Sequence, residues 1–301
     1  MPAHDAYRPA PKPLSRSAGG LSRRQLLGLS RTKLGAPPLD VERVTERRVA
    51  GWDGEARIGL LHAIVPVAEV VAGVAGAVAG SSVLDVGAGD GNVALACVAS
   101  GARVDACDPS RAMIGRGRAR TGDAVAWRRA DAQRLPYDDD SFDAVVSAFG
   151  VSEAARPGRA VRELARVCRP GGRVVLAAWA PRGLPGRLPE LVDAVDPPPE
   201  GLVSPMSWGH PARARARLAA HLDRFEQRTC VVVLRFEDAD ACFAALAPST
   251  LDDDQRAALR PRFDRLLASV NNRPPGVELD ARYLVVSGVA KHPPKSSRDG
   301  C

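Results

Sequence analysis

Three acidic residues in this 301-residue chain each stand at or just before the end of an apolar run, and glycines crowd the first of them. Val83, Leu84 and Val86 bracket Asp85 in a short buried-strand pattern; Gly87-Ala88-Gly89-Asp90-Gly91 follows, and helix-compatible residues resume at Asn92. A glycine turn between strand and helix has no Cβ in the way, so backbone N–H groups can approach a ligand closely. The dinucleotide pattern G-x-G-x-x-G would need its third glycine at position 92, which is Asn. By itself the loop is also compatible with a plain tight turn.

The second acid is Asp108. Arg103 to Cys107 reads as a strand ending at Asp108-Pro109-Ser110, 21 positions past Gly87 for the acid itself. Open α/β sheets bind ligands beyond the carboxyl ends of their strands, and an acid about 20 residues after the glycine turn can accept ribose hydroxyls. Asp108 could equally cap the helix expected near Arg111, since Asp is a favoured N-cap. Asp105, inside the strand, is the weaker competitor. The third acid is Asp131, in Trp127-Arg128-Arg129-Ala130-Asp131-Ala132, followed by Leu135-Pro136-Tyr137 and the strand pattern from Phe142. Taken separately, Asp131 reads as a solvated loop acid.

The elements that must position these residues alternate. Phe142 to Phe149 reads as a strand. Arg159 to Cys168 reads as a helix with Val161, Leu164, Ala165 and Cys168 on one face. Arg169-Pro170-Gly171-Gly172 breaks it, and Arg173 to Trp179 reads as another buried strand. Together, residues 80 to 180 closely resemble the class I S-adenosylmethionine-dependent methyltransferases, in their small-molecule branch that includes ubiquinone/menaquinone-type enzymes. The resemblance rests on the Asp-x-Gly-x-Gly-x-Gly turn, the acid after the second strand, Asp131-Ala132 with Leu-Pro-Tyr and Ser-Phe-Asp behind it, and Leu-Ala-Arg-Val-Cys-Arg-Pro-Gly-Gly. It implies an α/β, Rossmann-like fold: a seven-stranded, mostly parallel sheet with an antiparallel last strand, helices on both faces and a helical cap insertion.

The resemblance also implies that S-adenosylmethionine is surrounded by Asp85, Gly87, Ala88, Gly89 and Gly91, by Asp108, Pro109 and Met113, by Asp131 and Ala132, and by Ala148 and Phe149. Asp108 would hold the ribose, Asp131 and the Ala132 N–H the adenine, and Ala148-Phe149 the methionine part and the substrate. The reaction implied is direct displacement onto a small-molecule acceptor. A non-catalytic binding protein, a nucleic-acid methyltransferase and a nucleotide-dependent oxidoreductase are the alternatives. His62, His210 and Glu153 are candidate general bases that the sequence does not rank, so the catalytic group is left unassigned.

Composition divides the chain. Residues 1–49 carry ten Lys/Arg against four Asp/Glu, whereas the rest holds 32 against 31. The net charge of +7 therefore belongs to a Pro- and Ser-rich basic tail, expected to be disordered over 1–38, and gives no strong nucleic-acid signal. Residues 39–80 are expected to form helices over the pocket, with Trp52 and His62 near ligand. The core is expected at 81–180, a substrate lid, cap helices and C-terminal hairpin at 181–290, and a polar tail at 291–301. Ser22-Arg23-Arg24-Gln25-Leu26-Leu27 resembles an export signal, but Arg31 and Lys33 interrupt the apolar run it would need. No apolar run is long enough for a transmembrane helix, so a cytoplasmic protein is expected. The six cysteines form no C-x-x-C pair, so no metal site is expected.

Overall fold

The computed structural model describes residues 39–55 and 57–291; the expectations for the basic tail, the Arg23-Arg24 segment and the final polar residues lie outside them. The chain divides into two units, Met1–Pro38 and Leu39–Cys301; the elements below belong to the second.

Seven strands form one sheet in the order β3-β2-β1-β4-β5-β7-β6. They are β1 (Ser82–Val86), β2 (Arg103–Asp108), β3 (Val125–Arg129), β4 (Phe142–Ala148), β5 (Cys168–Trp179), β6 (Leu222–Phe236) and β7 (Val277–Ala290). The first five run parallel, and β7 lies antiparallel between β5 and β6. This is the expected mixed sheet. Strand alternation sorts the core onto two faces. Val83, Ala144, Val146, Val175 and Ala177 join one apolar cluster, while Leu84, Val86, Val145, Val174 and Leu176 join the other. Side chains two apart share a face of a strand, so runs buried on both faces read as nearly continuous apolar sequence.

Helices cover both faces. Ahead of the sheet come α1 (Val41–Asp53), α2 (Arg57–Ala63) and α3 (Val65–Ala75), with Trp52 in the last turn of α1. Then follow α4 (Asn92–Ala99), α5 (Arg111–Thr121), α6 (Pro157–Val167), α7 (Gly183–Asp193), α8 (Pro211–Leu218), α9 (Ala239–Leu246) and α10 (Asp253–Val270). The buried face of α6 is Ala160, Val161, Leu164 and Val167; of the expected face, Val161 and Leu164 lie on it, Ala165 is half-buried, and Cys168 opens β5. Among the described residues no single helix is long and apolar enough to cross a membrane.

Boundaries differ from the sequence reading: β5 begins at Cys168, so Arg169-Pro170-Gly171-Gly172 lies within the strand rather than ahead of it. The Pro- and Gly-rich stretch 181–211 contains α7 and a short 3-10 turn at Pro205–Gly209. Leu184 and Leu188 of α7 are buried, and that burial outweighs the helix-weakening Gly and Pro around them. β6 begins at Leu222, where pairing to β7 continues past a bulge between Asp223 and Glu226.

Candidate active site

The carboxyl ends of β1, β2 and β4 meet at a cleft whose empty volume is about 1070 Å³, open solvent at its mouth included. The structure brings eleven of the twelve expected residues to its wall: Asp85, Gly87, Ala88, Gly89, Asp108, Pro109, Met113, Asp131, Ala132, Ala148 and Phe149. Gly91 is the exception. It precedes α4 with φ 92°, its N–H donates to the Ala88 carbonyl at 3.0 Å, and an added Cβ would meet the Trp127 ring at 3.0 Å.

The glycine turn is built differently from the expectation of free N–H groups. Gly87 and Ala88 both donate to the Cys107 carbonyl, at 2.8 and 3.1 Å, and Gly89 donates to Asp108 Oδ2 at 2.9 Å. What glycine provides at position 87 is a backbone-to-backbone approach. A Cβ there would lie 2.8 Å from Gly150 Cα, and one on Gly150 would lie 2.4 Å from the Gly87 carbonyl oxygen. Gly89, with φ +58°, meets only Leu61 Cδ2 at 3.7 Å, so its hydrogens face open cavity.

Asp108 is not the cap of α5. Ser110 Oγ accepts from the Met113 N–H at 3.0 Å and takes that role. Asp108 instead spans two loops, accepting from the Ser110 N–H through Oδ1 and from Gly89 through Oδ2, both at 2.9 Å. Burial pushes its carboxyl up to about 6 against the pull of those two donors. Asp105, inside β2, does not line the cleft. Asp85 is 1 % exposed; its Oδ2 accepts from the Ala94 N–H at 3.0 Å and its Oδ1 has no partner among the described residues. Burial raises it to about 7. An unpaired buried carboxylate oxygen beside a cavity is costly unless a cation or donor reaches it. Asp131 accepts from the Gln133 N–H at 2.9 Å and from its Nε2 at 2.8 Å.

The roof comes from α1, whose Thr45, Arg48, Val49 and Trp52 complete the wall. Polar ties hold it there. Arg47 pairs with Asp196, Arg48 donates to the carbonyls of Glu153 and Val203, and Ser110 Oγ donates to Asp53. Arg57, buried and lowered to about 10 by that burial, donates to the Gly51, Ala245 and Leu246 carbonyls at 3.2, 3.1 and 3.0 Å and stacks on Trp52. The wall takes no residue from 181–290, where a substrate lid was expected. The α9–α10 insertion packs its apolar side into the core instead, and α1 occupies the roof.

His62 is exposed, and neither it nor His210, at the start of α8, reaches the wall. Glu153 does. Sequence reasoning missed Arg48, the packing of Gly150 on Gly87 and the Ser110 cap. Only Ser110, three residues before a helical N–H, carried a local signal.

The comparisons agree with this geometry. Residues 84–176 match the family described as "Methyltransferase domain". The chain is 34 % identical over 233 residues to uncharacterized protein Rv1405c of Mycobacterium tuberculosis, spanning 73 % of this chain and 82 % of that one. It is 44 % identical over 137 residues to the demethylmenaquinone methyltransferase of Clavibacter sepedonicus, 45 % of this chain and about half (51 %) of that relative. In fold it resembles the YcgJ protein of Bacillus subtilis, with a TM-score of 0.56, 19 % identity, and coverage of 75 % of this chain and 98 % of that one. With the sheet order, the glycine turn and an unsatisfied acid all at the same cleft, the chain belongs to the class I S-adenosylmethionine-dependent methyltransferases, and S-adenosylmethionine is its cofactor.

Proposed function

We propose that the enzyme moves the methyl group of S-adenosylmethionine to a small-molecule acceptor held in the same cleft. The observation that carries this reading is the roof. With α1 tied over the strand ends, a polymeric acceptor would have to displace a helix to reach the cofactor. The near-neutral charge of residues 50–301, 32 basic against 31 acidic, argues against a nucleic-acid acceptor.

On this reading the unpartnered Asp85 Oδ1 and the turn at Gly87, Ala88 and Gly89 receive the methionine end. Asp108 takes the ribose hydroxyls, and Pro109, Met113, Asp131 and Ala132 flank and read the adenine. Ala148 and Phe149 separate cofactor from acceptor; Gly91 supports the turn from behind. When bound, the cofactor supplies a methyl group activated on a positively charged sulfur. The protein's part is to align the reactants and keep water away, which can supply much of the acceleration. The Clavibacter relative's name denotes a quinone-type substrate, and Val49, Trp52 and Phe149 make an apolar wall suited to a ring of that kind.

The test is transfer from methyl-labelled S-adenosylmethionine in a cell extract. Label in the small-molecule fraction is the expected result. Label in RNA, DNA or protein would contradict it, and cofactor binding without any transfer would favour a regulatory protein.

A further inference from the structure

The cleft wall contains no histidine, cysteine, lysine or tyrosine among the described residues, so a proton acceptor there has to be a carboxylate. Most of its acids are already engaged. Asp108 uses both oxygens on the Ser110 and Gly89 N–H groups, and Asp131 uses both on Gln133. Asp90 pairs with Arg120. Asp85 accepts from Ala94 through Oδ2, and its Oδ1 is given to the methionine end of the cofactor on the reading above. Glu153 differs. Its side chain is 30 % exposed at the cleft, and its carboxylate accepts no hydrogen bond from the described residues; the nearest cation is Arg48, with Nε at 3.6 Å from Oε2. It sits three residues beyond Gly150, in the 3-10 turn that follows β4, where Arg48 of the α1 roof donates to its backbone carbonyl.

We infer that Glu153 is the catalytic base of this enzyme, and that the acceptor is attacked at an oxygen or nitrogen that carries a hydrogen. This rests on the small-molecule reading above. The acceptor's lone pair forms the new bond to the methyl carbon. The carbon–sulfur bond breaks with its electron pair going to sulfur, leaving S-adenosylhomocysteine. The O–H or N–H proton passes to the Glu153 carboxylate and from there to water. An acceptor with an O–H or N–H also fills the hydrogen-bonding capacity that Glu153 leaves open. Two charged groups act on it, Arg48 of α1 and Arg57 of α2. Burial raises the carboxyl above the usual glutamate range, which makes it a stronger base than an exposed one; the two guanidiniums restrain that rise and keep the ionised form accessible.

The experiment uses the full chain, methyl-labelled S-adenosylmethionine, and a panel of phenols, catechols, hydroxy acids, primary amines and imidazoles. Glu153→Gln keeps the size of the side chain and leaves the Arg48 contact to the backbone carbonyl. It should lower kcat on the panel compound used by wild type by about 10²–10⁴-fold, the range of general-base catalysis, with cofactor affinity by calorimetry unchanged. Glu153→Asp should retain the acidic limb of the pH–rate profile at reduced rate, and it carries the test if the Gln variant folds poorly. Carbon-13 NMR of glutamate-labelled protein supplies a readout independent of turnover: Glu153 should titrate above the ordinary range, and higher still in Arg48→Gln. The acidic limb of the rate profile should move with it. Wild-type kcat in Glu153→Gln, or an acidic limb that survives that change, would overturn the assignment. No label on any small molecule with wild type, from panel or extract, is a different failure: it removes the small-molecule reading, and this proposal with it.

Discussion

At the scale of single residues, Asp108 has the most to distinguish. Its carboxylate joins the glycine turn to the β2–α5 turn through two 2.9 Å bonds and is proposed to hold the ribose. Asp108→Asn removes the charge and places an NH₂ against one of two N–H donors. A charge-assisted hydrogen bond contributes about 1.5–3 kcal/mol, so S-adenosylmethionine affinity should fall roughly 10- to 100-fold at about 1.4 kcal/mol per decade. Because the donor-to-donor contact is structural, the melting temperature should fall as well. Calorimetry and a melting curve on the same variant read both, and unchanged affinity would leave Asp108 a structural strut. The same acids make a pH prediction. Burial raises Asp108 to about 6 and Asp85 to about 7 from an ordinary 3.8, so the folded state holds protons that the unfolded state releases. Their contribution to the stability of the unliganded protein is fully present below 3.8 and is lost as pH rises through about 7. Cofactor binding, which needs the ionised carboxylates, should strengthen over that interval. Melting curves and calorimetry across it should show the opposing trends, and Asp85→Asn should flatten the stability slope.

At the scale of elements, the glycine turn is held by contacts its own sequence does not reveal. Gly150→Ala would drive a Cβ to 2.4 Å from the Gly87 carbonyl, whereas Gly89→Ala meets only Leu61 at 3.7 Å and pays for its φ of +58°. Strain at Gly89 should cost about 1–2 kcal/mol. Overpacking at Gly150 typically costs about 1–3 kcal/mol, and forcing the backbones apart should also weaken cofactor binding. Denaturant unfolding of the two variants, with calorimetry alongside, compares them; a Gly150→Ala protein with normal stability and affinity would show that the close approach is dispensable. This contrast marks what was legible in sequence. The β1 turn, Asp108 and Asp131 were readable because strand, turn and acid are neighbours in the chain. Gly150 opposite Gly87, Arg48 against Glu153, and a wall that takes no residue from 181–290 depend on contacts between distant segments. α7 escaped notice for a related reason: tertiary burial of Leu184 and Leu188 overrides a Pro- and Gly-rich local composition.

At the scale of the whole molecule, the division at Pro38 and the roof formed by α1 predict two deletions with different outcomes. Residues 1–38 lack the apolar periodicity needed to pack, so removing them should leave folding and cofactor affinity unchanged. Removing residues 1–53 takes away Thr45, Arg48, Val49 and Trp52, opens the cleft to water, and should weaken cofactor binding while the sheet still forms. Equal behaviour of the two truncated proteins would mean that α1 is not the roof. The most direct measurement concerns what the cleft holds. Titration calorimetry of the intact chain with S-adenosylmethionine, S-adenosylhomocysteine and NAD should show saturable binding of the first two at one site, competition between them, and no heat from NAD. Binding of NAD, or no binding of either adenosyl ligand to folded protein, would contradict the assignment of this cleft as the methyl-transfer site.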